Sequence, residues 1–310
     1  MTKIFCLVGP TGVGKTEVAI ELAKQNHLDI ISADSRQIYK YMDIGTAKPK
    51  LADSGQRLTV SGVRFHLIDI ITPDVLYSAV DFTRDCKKVI DELTKQRRRY
   101  ILVGGSGLYL KALFEPFFKA PPRDLKLRKT LEKEFLENLY NKLKRVDPIS
   151  AKRINSQDRQ RIIRALELYQ TTHKPMSEQL KENHPQSEFS PYYVGLTMPR
   201  KMLYEKINQR FDKMIDDGLV REVKHLLKMG YTKEDNALNG IGYQEIIKFF
   251  DGEISLMEAI YIAKTRSRQY AKRQMTWFKK LEGIRWIEFT ALNETVSRIS
   301  QQYKKYMNIE

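Results

Sequence analysis

The first sixteen residues constrain this chain more than any other stretch. Ile4 to Val8 is a short apolar run that reads as a strand, and it leads directly into Gly9-Pro10-Thr11-Gly12-Val13-Gly14-Lys15-Thr16. The spacing G-x-x-x-x-G-K-[ST] is that of a P-loop, the motif of many ATP-binding and other nucleotide-binding proteins. Its glycines let successive N–H groups point at one anion, Lys15 adds a positive charge, and the Thr16 hydroxyl is a ligand for Mg²⁺. Glu17 to Ala23 continues as a helix whose N-terminal dipole faces the same anion. A glycine-rich turn with no ligand is the alternative, and the strand before, the helix after and all four signature residues speak against it. The motif reads a di- or triphosphate and does not specify a nucleoside.

Further strands follow at intervals that leave room for helices. Leu28–Ala33 reads as a strand that delivers Asp34-Ser35-Arg36-Gln37 at its carboxyl end. A third strand is expected over Phe65–Ile70 after a polar loop. Ser78-x-x-Asp81 is a capping box, and Phe82, Cys86, Val89, Ile90 and Leu93 recur behind it at helical spacing. Tyr100–Val103 is the fourth strand and ends in Gly104-Gly105-Ser106-Gly107. Alternating strands and helices predict an α/β fold, a P-loop-containing parallel sheet flanked by helices, with its ligand beyond the carboxyl ends of the strands. From about Ala120, at Pro121-Pro122, to the Pro185 region the pattern is of charged helices without strands. This predicts an inserted, mostly helical subdomain. The domain reading is therefore 1–119 as the first part of the core, 120–189 as the insertion, and 190–310 as the continuation. Tyr192–Thr197 restores a strand there, and Arg285–Phe289 is a last one.

The length of 310 residues suits one large domain or two modest ones, and 42% hydrophobic content suffices to bury a core. No apolar run is long enough to cross a bilayer, and the start is too short for a signal-peptide core, so a cytoplasmic protein is expected. Cys6 and Cys86 read as buried, reduced thiols. The 54 Lys and Arg against 38 Asp and Glu, a formal charge of +16, point to a polyanionic partner. Much of that excess lies in 264–280, which holds seven basic residues and no acid. On a helix Lys264, Arg268 and Lys272 form one line and Arg266, Tyr270, Arg273 and Trp277 another. The basic line predicts contact with phosphates. The two aromatics fit either stacked bases or burial against the core.

Taken together, the 9–16 loop, Ser32 to Tyr39, Met42 to Pro49, His66 to Asp69, Val103 to Tyr109, Arg161 to Glu167 and Gly240 to Tyr243 resemble the bacterial tRNA dimethylallyltransferases, in order and over nearly the whole chain. Two segments depart from the family pattern. Ser106 stands where a threonine is usual, which keeps a hydroxyl, and Ile154-Asn155-Ser156-Gln157-Asp158 replaces Ile-His-Pro-Asn-Asp, so no role is carried to Asn155.

The resemblance implies transfer of a dimethylallyl group from its diphosphate to N6 of adenosine 37, beside the tRNA anticodon, with Mg²⁺ as cofactor and a monomer as the working unit. The adenine amine is a poor nucleophile and needs a proton acceptor, for which Asp34, at a strand end beside the P-loop, is the candidate. An aspartate there can also cap the next helix or reach Mg²⁺ through water. Residues 9–16 would hold the departing diphosphate, and Arg210 is a further diphosphate contact or, alternatively, a surface ion-pair residue. Asp34, Ser35, Arg36, Gln37, Ser106, Arg128, Gln160, Arg161, Ile162, Ile163, Arg164, Gly242, Tyr243 and Gln244 would line the tRNA path. Two other functions share the P-loop: a small-molecule kinase, and a nucleic-acid-dependent ATPase. The first leaves the charge unexplained. The second lacks a Walker-B acid at the fourth strand, with Asp69 as the only weak substitute.

Overall fold

The structure is a computed structural model and describes all residues except 51, 54–57, 116–120, 122–123, 183–185 and 309–310. The expected boundary at residue 120, together with Pro122 and Pro185, lies outside the described residues. The chain divides into two compact units, one formed by 1–114 with 188–310 and the other by 115–187.

The first unit holds eight strands: β1 (Thr2–Val8), β2 (Leu28–Ala33), β3 (Ala52–Asp53), β4 (Leu58–Val60), β5 (Val63–His66), β6 (Arg99–Gly104), β7 (Phe189–Thr197) and β8 (Arg285–Glu288). They form one sheet in the order β3-β4-β5-β2-β6-β1-β7-β8. Pairings from β5 to β8 are parallel, and β3-β4-β5 is an antiparallel extension at one edge. That extension was unforeseen: residues read as a polar loop form strands too short to show a period. The third strand also stops at His66. Leu67 and Asp69 have φ of 57° and 59°, a left-handed backbone that no strand can contain.

Both faces of the sheet are buried because successive side chains alternate between them. Phe5 and Leu7 share one core with Val18 and Leu22 of α1 (Lys15–Asn26), while Ile4, Cys6 and Val8 between them are equally inaccessible. α2 (Ala79–Lys95) packs against β6 and α3 (Gly107–Phe114) against β7. Ser78 and Asp81 close the capping box at the start of α2 in both directions. Cys6 and Cys86 are buried and free, and burial raises both thiol pKa values.

The second unit is helical: α4 (Leu125–Glu132), α5 (Leu136–Val146), α6 (Pro148–Arg153), α7 (Arg159–Thr172) and α8 (Met176–Glu182). Leu139, Leu143, Ile162, Ile163 and Leu166 form its own apolar core. The first unit resumes with β7 and then α9 (Arg200–Asp217), α10 (Leu219–Lys228), α11 (Tyr243–Phe250), α12 (Leu256–Phe278) and, after β8, α13 (Leu292–Met307). No helix among the described residues is long and apolar enough to cross a membrane.

Candidate active site

Three polar segments meet at the carboxyl ends of β1, β2 and β6. The first is the loop 9–16. Gly12 and Gly14 have φ of 83° and 97°, and a Cβ would lie 2.8 Å from Ile207 Cγ1 at the former and 2.9 Å from Phe289 Cε2 at the latter. Only glycine meets both demands. Gly14 is the N-cap of α1 and brings no side-chain acceptor, so the first-turn N–H groups of α1 are left to serve an anion.

Lys15 Nζ donates to Pro10 O at 2.8 Å. Burial lowers its pKa to about 8, against the opposing pull of the Asp34 carboxylate, and the Arg210 guanidinium lowers it further. Arg210, from α9, donates Nη2 to Thr11 Oγ1 at 2.7 Å, and burial lowers its pKa too, again opposed by Asp34. This arginine is thus no surface ion-pair residue. Two desolvated cations face one carboxylate, a balance that favours added negative charge.

The second segment is 34–37. Asp34 Oδ1 accepts from the backbone N–H groups of Arg36 at 2.8 Å and Gln37 at 3.3 Å. No helix starts there, so the aspartate caps a turn and not the helix that was the alternative. Those bonds use one oxygen, and the carboxylate has a second. Arg36 Nη1 donates to Asn236 O at 2.9 Å and Ala237 O at 3.3 Å, while Gln37 Nε2 donates to Thr46 O at 3.2 Å and Ala47 O at 3.1 Å. Both side chains therefore brace neighbouring loops.

The third segment is 104–107. Buried Ser106 accepts from Ser35 N–H at Oγ, 2.9 Å away, and its own N–H donates to Ala33 O at 3.2 Å. Its hydroxyl ties the third segment to the second. A residue absent from the sequence reading ties the third to the first: Gln274 of α12 accepts from Thr11 N–H at 2.8 Å and donates to Gly105 O at 2.9 Å. The signal was available, since Gln274 is the one amide in an inward line otherwise made of Ala259, Ala263, Ala271 and Phe278. Burial pushes the Tyr270 hydroxyl up to about 12, with the Asp34 charge adding to it, so this phenol also lies in the field of the site.

Two residues of the basic line on α12 have partners within the protein that spacing did not reveal. Lys264 pairs with Asp212 of α9 at 2.5 Å, and Arg268 donates to Asn208 Oδ1 at 2.7 Å. The repulsion along the line is thus relieved for those two residues within the protein. Arg266 pairs with buried Glu245. Trp277 packs on Gly107, where a Cβ would come within 2.5 Å of its ring. Lys272, Arg273 and Lys280 remain exposed and line a shallow hollow with Gln269, Thr276 and Trp277.

The 242–244 turn is also braced internally. Tyr243 is 1% exposed and its hydroxyl donates to Glu222 Oε1 at 2.6 Å, so its ring offers RNA no surface. Gln244 donates to Asn239 O at 2.7 Å. Gly242 has φ 96° and starts α11. Asp69, the weak substitute for a Walker-B acid, accepts from buried Lys48 at 2.7 Å.

Within the second unit, Ile162 and Ile163 are wholly buried and present no side chain to a ligand. Glu167 is buried as well, and accepts from Arg164 at 2.8 Å, Arg128 at 3.4 Å and Asp124 N–H at 2.7 Å. Arg128 also donates to Gln160 Oε1 at 2.9 Å. Arg161 stands apart from these: its side chain is 74% exposed and pairs with Asp158 at 3.3 Å.

Residues 37–281 match the family described as IPP transferase. The chain belongs to the IPP transferase family. Named IPP transferase relatives align along almost their whole length. The tRNA dimethylallyltransferase of Acetivibrio thermocellus is 45% identical over 295 residues, covering 93% of this chain and 92% of the relative. That of Carboxydothermus hydrogenoformans is 42% identical over 308 residues, covering 97% and 96%. Among solved structures, the tRNA isopentenylpyrophosphate transferase of Bacillus halodurans superposes with a TM-score of 0.72 at 35% identity, covering 98% of this chain and 96% of the other. A eukaryotic dimethylallyltransferase described as acting on tRNA superposes with a TM-score of 0.82 at 27% identity, covering 100% and 81%.

Proposed function

We infer that this chain transfers a dimethylallyl group from dimethylallyl diphosphate to N6 of adenosine 37 in the tRNA anticodon loop and releases diphosphate. The observation that carries the reading is the pair of desolvated cations, Lys15 and Arg210, set beside a glycine loop with Asp34 as their common opposing charge. As the allylic C–O bond breaks, negative charge grows on the diphosphate. The loop N–H groups, Lys15 and Arg210 are aimed where it grows, and this lowers the barrier more than it tightens ground-state binding. As the C–N bond forms, the adenine amine loses a proton, and Asp34 accepts it. Here the loop holds the leaving group, whereas in a kinase it would hold the phosphoryl in flight.

Among the described residues no cluster of three His, Cys, Asp or Glu side chains could hold a metal. The donor set therefore fits Mg²⁺ carried mainly by substrate oxygens and water, with the Thr16 hydroxyl as its protein ligand. Such an ion would neutralise charge on the departing diphosphate. For tRNA, exposed cations include Arg161 in one unit and Lys272, Arg273 and Lys280 in the other, and phosphate contacts of this kind position the substrate. The proposed working unit is a monomer in the cytoplasm, a reading supported by the meeting of loop residues 9–16, Asp34 and Arg210 within one chain.

The test is a purified reaction with dimethylallyl diphosphate and a tRNA whose codons begin with U, read by mass at adenosine 37. Wild type should add one dimethylallyl group. Asp34→Asn keeps an oxygen to cap Arg36 and Gln37 but removes the base, so its single-turnover rate should fall by roughly two to four powers of ten with tRNA affinity retained. Robust ATP hydrolysis without transfer would return the kinase or ATPase reading.

A further inference from the structure

Gln274 links the two halves of the proposed reaction without facing either reactant. Thr11 is gripped twice from the rear: its N–H by Gln274 of α12 and its hydroxyl by Arg210 of α9. The N–H bonded to Gln274 cannot also serve a phosphate. At Gly105 a Cβ would stand 2.5 Å from Gln274 Nε2, so the glycine leaves the space that this amide fills. From Gly105 the chain passes to Ser106, whose Oγ accepts from Ser35 N–H, next to Asp34. The path runs from the diphosphate loop through one buried amide to the residue beside the base. α12 itself is pinned to α9 by Lys264 to Asp212 and Arg268 to Asn208.

We propose that Gln274 is a positioning residue that fixes the separation between the diphosphate-holding loop and Asp34, and so sets how far the allylic carbon sits from the attacking nitrogen. The proposal rests on the transfer reading above. A misplacement of about 1 Å in such a site costs on the order of a hundredfold in rate without removing any chemical group. Glutamine suits the task because one planar amide offers an acceptor to Thr11 and a donor to Gly105 in fixed relation.

The test compares wild type, Gln274→Ala, Gln274→Glu, Asp34→Asn and the two Gln274 variants in the Asp34→Asn background. Gln274→Glu is nearly isosteric and keeps the acceptor for Thr11 but sets an oxygen against Gly105 O, so it breaks one bond of the pair without opening a cavity. Each Gln274 variant should lower the single-turnover rate by about ten- to a hundredfold. Equilibrium affinities for dimethylallyl diphosphate and tRNA should change less than about threefold, since no substrate contact is lost. In the Asp34→Asn background the same substitutions should cost less than in the wild type, because the reach of Asp34 to the amine proton, one part of what the separation secures, is already lost. Full additivity with Asp34→Asn, or a loss confined to diphosphate affinity, would overturn the proposal. A wild-type protein without transfer activity would instead refute the reading beneath it.

Discussion

Glu222 and Tyr243 meet through a 2.6 Å hydrogen bond from the tyrosine hydroxyl to Oε1. The same carboxylate accepts from the backbone N–H groups of Asp43 at 2.9 Å, Ile44 at 2.7 Å and Gly45 at 3.0 Å. Gly45 lies flat on the ring, where a Cβ would come within 2.5 Å of it. One side chain of α10 thereby holds the loop whose carbonyls at 46 and 47 receive Gln37. Glu222→Ala should lower stability by about 2 kcal/mol, since it strands several partly buried donors, whereas Tyr243→Phe should cost about 1 kcal/mol or less. Denaturant titrations of both variants measure this, and equal losses would contradict it.

On the proposed function, Lys15 should give diphosphate binding a pH dependence. Its pKa of about 8 without ligand means that much of the population is neutral at pH 8.5, and the bound diphosphate, a trianion there, restores the charged form. Affinity should then fall as pH rises through about 8, and binding at pH 8.5 should take up a proton. Calorimetry in buffers of different ionisation enthalpy detects that proton, and no uptake would mean that Lys15 is already charged.

The division of α12 between partnered and open cations predicts two different mutant classes. Replacing Lys272, Arg273 and Lys280 with alanine should flatten the slope of log tRNA affinity against log salt by about two units, from roughly 0.7 to 0.9 per lost contact. Replacing Lys264 and Arg268 should instead lower the melting temperature and leave the slope near wild type, because those side chains serve Asp212 and Asn208. The reverse pattern would restore the line that spacing alone suggests.

Asp29 should contribute to acid stability. Burial by itself would raise its pKa, but hydrogen bonds from His66 at 3.0 Å and from Arg98 outweigh it and hold the carboxyl at about 2. The folded value lies below the unfolded one of about 3.9, so the stabilisation is present above about pH 4 and lost as pH falls toward 2. It amounts to about 2 kcal/mol. Denaturant midpoints from pH 5 to pH 2 should show this loss in the wild type and lack it in Asp29→Asn.

What the sequence made legible was whatever depends on short range. The strand into Gly9, the capping box at Ser78 and the strands ending at Ala33 and Gly104 each carry their cause within a few residues, and their alternation implied the parallel sheet. The site's brackets were not legible, because Thr11 to Arg210, Thr11 to Gln274 and Asp43 to Glu222 join residues far apart in the chain. Spacing also cannot tell a cation with a tertiary partner from one without. Lys264 and Lys272 look alike on a helical wheel, and only Asp212 separates them. Tyr243 was misplaced for a similar reason: its motif marks a turn, and the burial of its ring is decided by Gly45.

The bonds at Thr11 also bear on the order in which the molecule is made. Thr11 is made well before its two side-chain partners, which lie 199 and 263 positions later, and β1 cannot finish its pairing until β7 arrives. During synthesis the 9–16 loop should therefore exist for most of the time as a flexible segment with the right residues and no fixed shape. The ability to seize a prenyl diphosphate should switch on late, once α12 has emerged, so that unfinished chains leave the prenyl pool untouched.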